Sequence, residues 1–86
     1  MIIHFTQGFQ KKAAKMVAHN DQLQKKLKKQ FKIFQQNPLH LGLRLHKLKG
    51  KRSEQYAIWI EGDVRALAVK NGEVYTFFDL VTHDQY

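Results

Sequence analysis

The chain has 86 residues, 43% of them hydrophobic, with six Phe, three Tyr, one Trp and no Cys; that is room for one domain with one core and excludes both a disordered chain and a disulfide framework. Fifteen Lys and Arg against seven acids give a formal charge of +8. No apolar run approaches the roughly 20 residues of a membrane span and no signal-peptide order opens the chain, so a soluble, cytoplasmic protein without membrane association is expected.

The charge is unevenly spread. Residues 1–52 carry 13 cations and one acid, whereas residues 53–86 carry two cations and six acids. A cationic half of that density either serves as a solvated face or attracts a partner. The partner would be a polyanion held through counterion release or an acidic protein drawn in by steering.

In chain order, Met1 to Phe5 predicts a short apolar strand, and Thr6 is a candidate N-cap for a helix beginning near Phe9. Phe9, Ala13, Met16 and Val17 recur at helical spacing, with Lys11, Lys12 and Lys15 on the other side. Asn20 can cap a second helix whose stripe is Leu23, Leu27, Phe31 and Phe34, interleaved with Lys25, Lys26, Lys28, Lys29 and Lys32. That helix should stop at Asn37-Pro38, because a proline pushes the residue before it out of the helical region.

From Leu41 the period changes from helical to alternating. Leu43 and Leu45 are expected to face the core, with Arg44 and His46 facing away. A charged loop over 50–54 leads to a strand in which Tyr56, Ile58 and Ile60 share one face and Ala57, Trp59 and Glu61 the other. Gly62-Asp63 predicts a tight turn into a strand over 64–70. Asn71-Gly72 predicts a type I′ hairpin, and 74–79 returns as the last strand. The expected architecture is α+β, in the order β-α-α-β-β-β-β. An antiparallel sheet has its first strand added at an edge and one face covered by the helical hairpin, all within one domain over 1–86. The opposite face would be partly open, with Trp59 on or near it.

The chemistry concentrates around that face. No metal-ligand spacing, glycine-rich phosphate loop or serine nucleophile with a base is present, so neither a metal nor a cofactor is expected. What remains is His46, Lys47, Lys49, Arg52, Asp63, Arg65, His83 and Tyr86. Such a set suits cleavage of RNA by its own 2′-OH. The reaction needs a base for the hydroxyl proton, cations for the charge growing on the phosphate, and an acid for the leaving 5′ oxygen. The plainer alternatives are a surface role for His46, a salt bridge from Arg65 to Glu61, Asp63 or Asp79, a solvated His83 and a core Trp59.

The lysine-rich helical hairpin, Asn37-Pro38, the run His46-Lys47-Leu48-Lys49-Gly50, the strand Tyr56-Ala57-Ile58-Trp59-Ile60 leading to Asp63-Val64-Arg65, and the tail Thr82-His83-Asp84-Gln85-Tyr86 together resemble the RelE/ParE superfamily of bacterial toxins. The resemblance spans nearly the whole chain and is nearest to the YafQ-like and RelE-like branches. It implies the toxin of a type II toxin–antitoxin system, a ribosome-dependent and metal-independent mRNA endoribonuclease that inhibits translation. On that likeness His46, Asp63, Arg65, His83 and Tyr86 correspond to catalytic positions. Lys47, Lys49, Lys51 and Arg52, concentrated around the turn at Gly50, are the cations suited to holding the phosphate, and on the likeness Lys25, Lys28, Lys29 and Lys32 correspond to contacts with ribosomal RNA. The implied partners are a cognate antitoxin and mRNA on the ribosome. The alternatives within the same scaffold are a ParE-like inhibitor of DNA gyrase and a non-catalytic RNA- or antitoxin-binding relative. The chain departs from the family pattern at Ala57 and Trp59, where RelE-like proteins carry lysines and YafQ-like ones a histidine. Lys47 or Lys49 is then the alternative source of an acid/base partner. It departs also in the tail, where one residue rather than two separates Asp84 from Tyr86.

Overall fold

The computed structural model describes residues 1–50 and 54–82. Among the described residues the chain forms β1 (Ile2–Phe5), α1 (Gln7–Val17), α2 (Asp21–Gln36), a 3-10 turn (Leu41–Leu43), β2 (His46–Lys47), β3 (Gln55–Glu61), β4 (Val64–Asn71) and β5 (Val74–Val81). No helix among them is long and apolar enough to cross a membrane.

Both helices start at the expected caps. Thr6 Oγ1 accepts the Phe9 amide at 3.0 Å, and Asn20 Oδ1 accepts the Leu23 amide at 3.0 Å. Each satisfies a first-turn N–H that no helical carbonyl can reach. The first helix consequently begins at Gln7, two residues before Phe9. The second ends at Gln36, and Asn37 is extended, with φ −157° and ψ 94°, as the following proline demands.

The sheet runs in the order β1-β5-β4-β3-β2. Strands β2 to β5 form the expected antiparallel meander, and β1 sits at an edge. It pairs parallel to β5, from Ile2 opposite Val74 to Phe5 opposite Phe77, so the sheet is mixed rather than antiparallel throughout. A parallel neighbour requires a long crossover, and here everything from α1 to β4 serves as one. The short apolar run Ile2 to Phe5 fits either direction, which is why its pattern is silent on the point.

Three further expectations change. The alternating segment from Leu41 is a strand only at His46–Lys47. Before it, His40 Nδ1 accepts the Gly42 amide at 3.0 Å and winds the chain into the 3-10 turn, leaving Leu41 90% exposed and Arg44 at φ 50°. Leu43 is nonetheless fully buried and Leu45 packs on the core. At the last hairpin Asn71 pairs with Val74, which puts Gly72 and Glu73 in the turn, and among the turn residues only Gly72 has a positive φ, of 61°. That is the pattern of a type II′ turn with glycine first, not of type I′. Finally, β5 continues beyond Asp79 because Leu80 and Val81 are both buried.

The helices cover one face of the sheet, and the main core lies between them. Phe9, Leu23, Phe34, Ile58, Ile60, Ala66, Ala68, Tyr75, Phe77 and Leu80 are buried there. Phe31 and Phe77 meet edge-on at 4.8 Å, and Phe34 stands edge-on to Tyr75 at 5.0 Å, geometries in which ring edges face the negative π clouds. The opposite face carries only a small cluster, Leu48, Ala57, Leu67 and Val81 with Phe78 beside it. These four residues are themselves buried, so of the face opposite the helices it is the rim, at His46 and Lys49, that is exposed.

Candidate functional site

Strand register decides which candidate residues share a face. His46 pairs with Ala57, and Ala57 with Leu67, so an exposed His46 heads a row that crosses the face opposite the helices over buried Ala57 and Leu67. In the next row Trp59 pairs with Arg65, and Arg65 with Val81. Two strand spacings and two residues of rise separate the Cα atoms of His46 and Arg65, about 12 Å. Side chains of that length can converge on one small group between them.

His46 is exposed, with its Nδ1 2.8 Å from the Arg44 carbonyl oxygen. A carbonyl can only accept, so Nδ1–H donates, and in the neutral ring Nε2 keeps the free lone pair. The backbone thus selects the tautomer in which the outward nitrogen is the base. Arg44 reaches that position through a left-handed conformation uncommon for a residue with a Cβ.

Arg65 does not form the salt bridge considered from the sequence. Its Nη1 donates to the Gly62 carbonyl at 3.0 Å and the Val64 carbonyl at 3.2 Å. Among the described residues the one ion pair is Lys12 with Asp79, at 2.9 Å. The same Gly62 oxygen accepts the Trp59 indole N–H at 2.8 Å, so one carbonyl of the β3–β4 turn anchors both side chains of the row. Gly62 turns that carbonyl inward from a φ of 52°.

Trp59 is half-buried and is not ordinary core. It is flanked by cations, with Lys26 Nζ 5.1 Å and Arg44 Cζ 4.7 Å from the ring centroid. A register shift between Trp59 and Glu61 marks a bulge there, the usual device for re-aiming a strand residue. The indole consequently leans toward α2 instead of lying flat on the open face.

Other candidates fall elsewhere. Lys47 pairs with Tyr56, a residue of the helix-covered face, and therefore points away from His46. Lys49 is exposed just past β2. Asp63 is exposed in the β3–β4 turn, about 15 Å along the strand direction from the His46 row. The α2 lysines divide by helical spacing: Lys25 and Lys29 line a concavity with Trp59, while Lys28 and Lys32 line a groove beside β1 with Met1, Ile3, Phe5 and Phe31. Lys51, Arg52, His83 and Tyr86 lie outside the described residues. No group of three or more His, Asp or Glu among the described residues is arranged to hold a metal.

One residue that supports the site was not singled out from the sequence. Gln30 is 2% exposed, and its Nε2 donates to the carbonyls of Trp59 at 2.9 Å and Gly42 at 3.2 Å. It ties α2 to the β3 edge and to the 3-10 turn that sets Arg44. Its signal was available: Gln30 falls at i+7 from Leu23, on the apolar stripe.

No protein-family model matches the chain, and no curated protein matches it in sequence. Solved structures do match. YafQ from Escherichia coli strain BL21(DE3) superposes with a TM-score of 0.76 at 19% identity, covering 96% of this chain and 93% of YafQ. A YoeB/ParE toxin from Agrobacterium tumefaciens gives 0.75 at 13% identity, covering 96% and 99%. The chain has the RelE/ParE-type toxin fold. A third match, YafQ in its complex with DinJ from Escherichia coli, gives 0.74 at 19% identity and covers 96% and 93%. Each match covers 96% of this chain, so the likeness takes in the sheet and both helices together.

Proposed function

We propose that this chain is the toxin of a bacterial type II toxin–antitoxin system and acts as a ribosome-dependent, metal-independent mRNA endoribonuclease that inhibits translation. The observation that carries the reading is the pair His46 and Arg65 on the sheet face opposite the helices, two strands apart, with the His46 tautomer set by the Arg44 carbonyl. His46 Nε2 takes the proton of the 2′-OH, whose oxygen attacks the adjacent phosphorus. Arg65 leaves its resting carbonyls to stabilise the extra negative charge on the phosphate, helped by Lys49 and by Arg52. A proton delivered to the 5′ oxygen completes cleavage, leaving a 2′,3′-cyclic phosphate and a 5′-OH. His83 is assigned that acid role from the sequence, with Tyr86 as the terminal aromatic. Asp63, at the hairpin tip, is assigned to electrostatic support of Arg65.

The likeness to YafQ in complex with DinJ, a toxin–antitoxin pair, supports an antitoxin partner for this chain. An acidic or amphipathic segment is the chemistry that would neutralise the basic half. Primer extension on mRNA in a translating extract tests the enzymatic reading. Cuts within codons should appear with the wild type and disappear with His46→Ala and with Arg65→Ala. Arrest of growth with no cuts, together with inhibition of gyrase supercoiling, would replace it by the gyrase reading.

A further inference from the structure

The chemistry above leaves the Trp59 indole without a task, although the fold spends several contacts on holding it. Strand β2 pairs only with Ala57 and Tyr56. At Trp59 the β3 edge is instead met by α2, whose Gln30 takes the Trp59 carbonyl. The ring is pinned at its nitrogen by Gly62 and touched by Lys26 and Arg44. With Gln22, Lys25, Lys26, Lys29 and Glu61 it lines a concavity of about 550 Å³. Glu61 is the acid of that lining, and its Oε1 accepts from Gln22 Nε2 at 3.0 Å, so three lysines face one already hydrogen-bonded carboxylate.

Two properties meet there: an immobilised aromatic plane and a row of exposed cations. An acidic side chain answers the cations but not the indole, so a peptide would need a separate aromatic or apolar residue placed at the ring. An unpaired nucleotide answers both, since every base has a π face and every linkage a phosphate. We infer that this concavity is a single-stranded RNA subsite in which one base stacks on Trp59 while flanking phosphates are held by Lys25, Lys26 and Lys29. The base displaces one of the two cations from the ring, and that cation turns to the incoming phosphate. Base stacking outweighs an exposed cation–π contact, so the exchange favours binding. Trp59 is the register partner of Arg65, one strand spacing of about 5 Å away. The stacked nucleotide is therefore a neighbour of the one whose phosphate meets Arg65. The inference rests on the RNA reading of His46 and Arg65 and adds to it a place where an unpaired base is held, whatever its identity.

Trp59 is the single tryptophan of the chain, so its intrinsic fluorescence reports on this subsite alone. The experiment titrates the wild type with an eight-nucleotide single-stranded RNA, 2′-O-methylated to prevent cleavage, and with inorganic polyphosphate of equal charge. Saturable quenching by the RNA and little by polyphosphate is expected. In parallel, anisotropy of the labelled oligonucleotide should show near wild-type affinity for Trp59→Phe and at least tenfold weaker binding for Trp59→Leu. Lys25→Gln with Lys29→Gln should lower the slope of log affinity against log salt by about 1.4. Equal quenching by polyphosphate, unmoved fluorescence with RNA, or undiminished binding by a Trp59→Leu protein with a wild-type melting curve would each overturn the inference. Quenching by RNA without cuts in the translating extract supports the stacking site and removes only the nuclease reading.

Discussion

Gln30 shows how one buried polar side chain can organise a site it never touches. Its amide group donates to two carbonyls at the part-buried seam between α2, the 3-10 turn and β3. Replacing it by leucine keeps the volume but removes both donated bonds, and the Trp59 carbonyl loses its partner on α2. Gln30→Leu should therefore cost about 2 kcal/mol, measured as a lower urea midpoint at unchanged m-value. At the reacting centre the expected effects are kinetic. His46→Ala should lower the cleavage rate about 100-fold by removing the base, with stability unaltered because the ring is exposed and its one hydrogen bond is local. Arg65→Lys should recover only part of the loss seen in Arg65→Ala, because an ammonium on a flexible stem cannot present two parallel donors to a phosphate. Single-turnover cleavage of ribosome-bound mRNA by the three variants separates these cases; a fully active Arg65→Lys would show that only charge matters there.

Among the elements, the β3–β4 hairpin does most to assemble the row of Trp59 and Arg65, because its turn carbonyl binds both. Gly62 is the position on which that depends. A Cβ added there meets nothing within 4 Å, so space does not forbid a side chain; the positive φ does. Gly62→Val should destabilise by about 1–2 kcal/mol and broaden the Trp59 emission as the indole loses its fixed acceptor, whereas Gly62→Asn, a residue that tolerates this region, should be milder. A melting curve no lower for valine than for asparagine would remove the backbone argument. The helices were legible in the sequence because their signals are local: caps at Thr6 and Asn20, a stripe at period 3.6, and a proline stop. The β2 region was not. Its alternation of Leu41, Leu43 and Leu45 is overruled by contacts from far away in sequence or by side-chain capping, Gln30 to Gly42 and His40 to its own turn. The parallel pairing of β1 was hidden for the same reason, since direction is decided by the crossover and not by the strand. For the site, the types His46 and Arg65 were readable, but their shared face is a consequence of register. The cation-flanked setting of Trp59 needs both the bulge at Glu61 and the arrival of α2.

At the scale of the molecule, the division of charge becomes a division of surfaces. Thirteen of the fifteen cations precede residue 53, and among the described residues they lie on α1, α2 and the segment around β2, while the acids that follow cluster on the strands and turns of the meander. The α2 lysines point two ways, Lys25 and Lys29 toward the Trp59 concavity and Lys28 and Lys32 toward the β1 groove. On the proposed function, a helix that presents cations on two flanks can lie along a folded RNA while His46 and Arg65 address a strand threaded past it. Single-flank binding and this straddling arrangement differ in how many phosphates are neutralised. Replacing Lys25, Lys28, Lys29 and Lys32 by glutamine should leave the helix intact, since all four are exposed and glutamine is a comparable helix former. If Lys28 and Lys32 meet duplex ribosomal RNA while Lys25 and Lys29 hold a single strand, sedimentation with ribosomes across a salt series should show the log–log slope falling by about 3.2. A fall of about half that value, obtained equally with the Lys25 and Lys29 pair alone, would mean that only the Trp59 flank faces RNA and that the β1 flank is free for a protein partner.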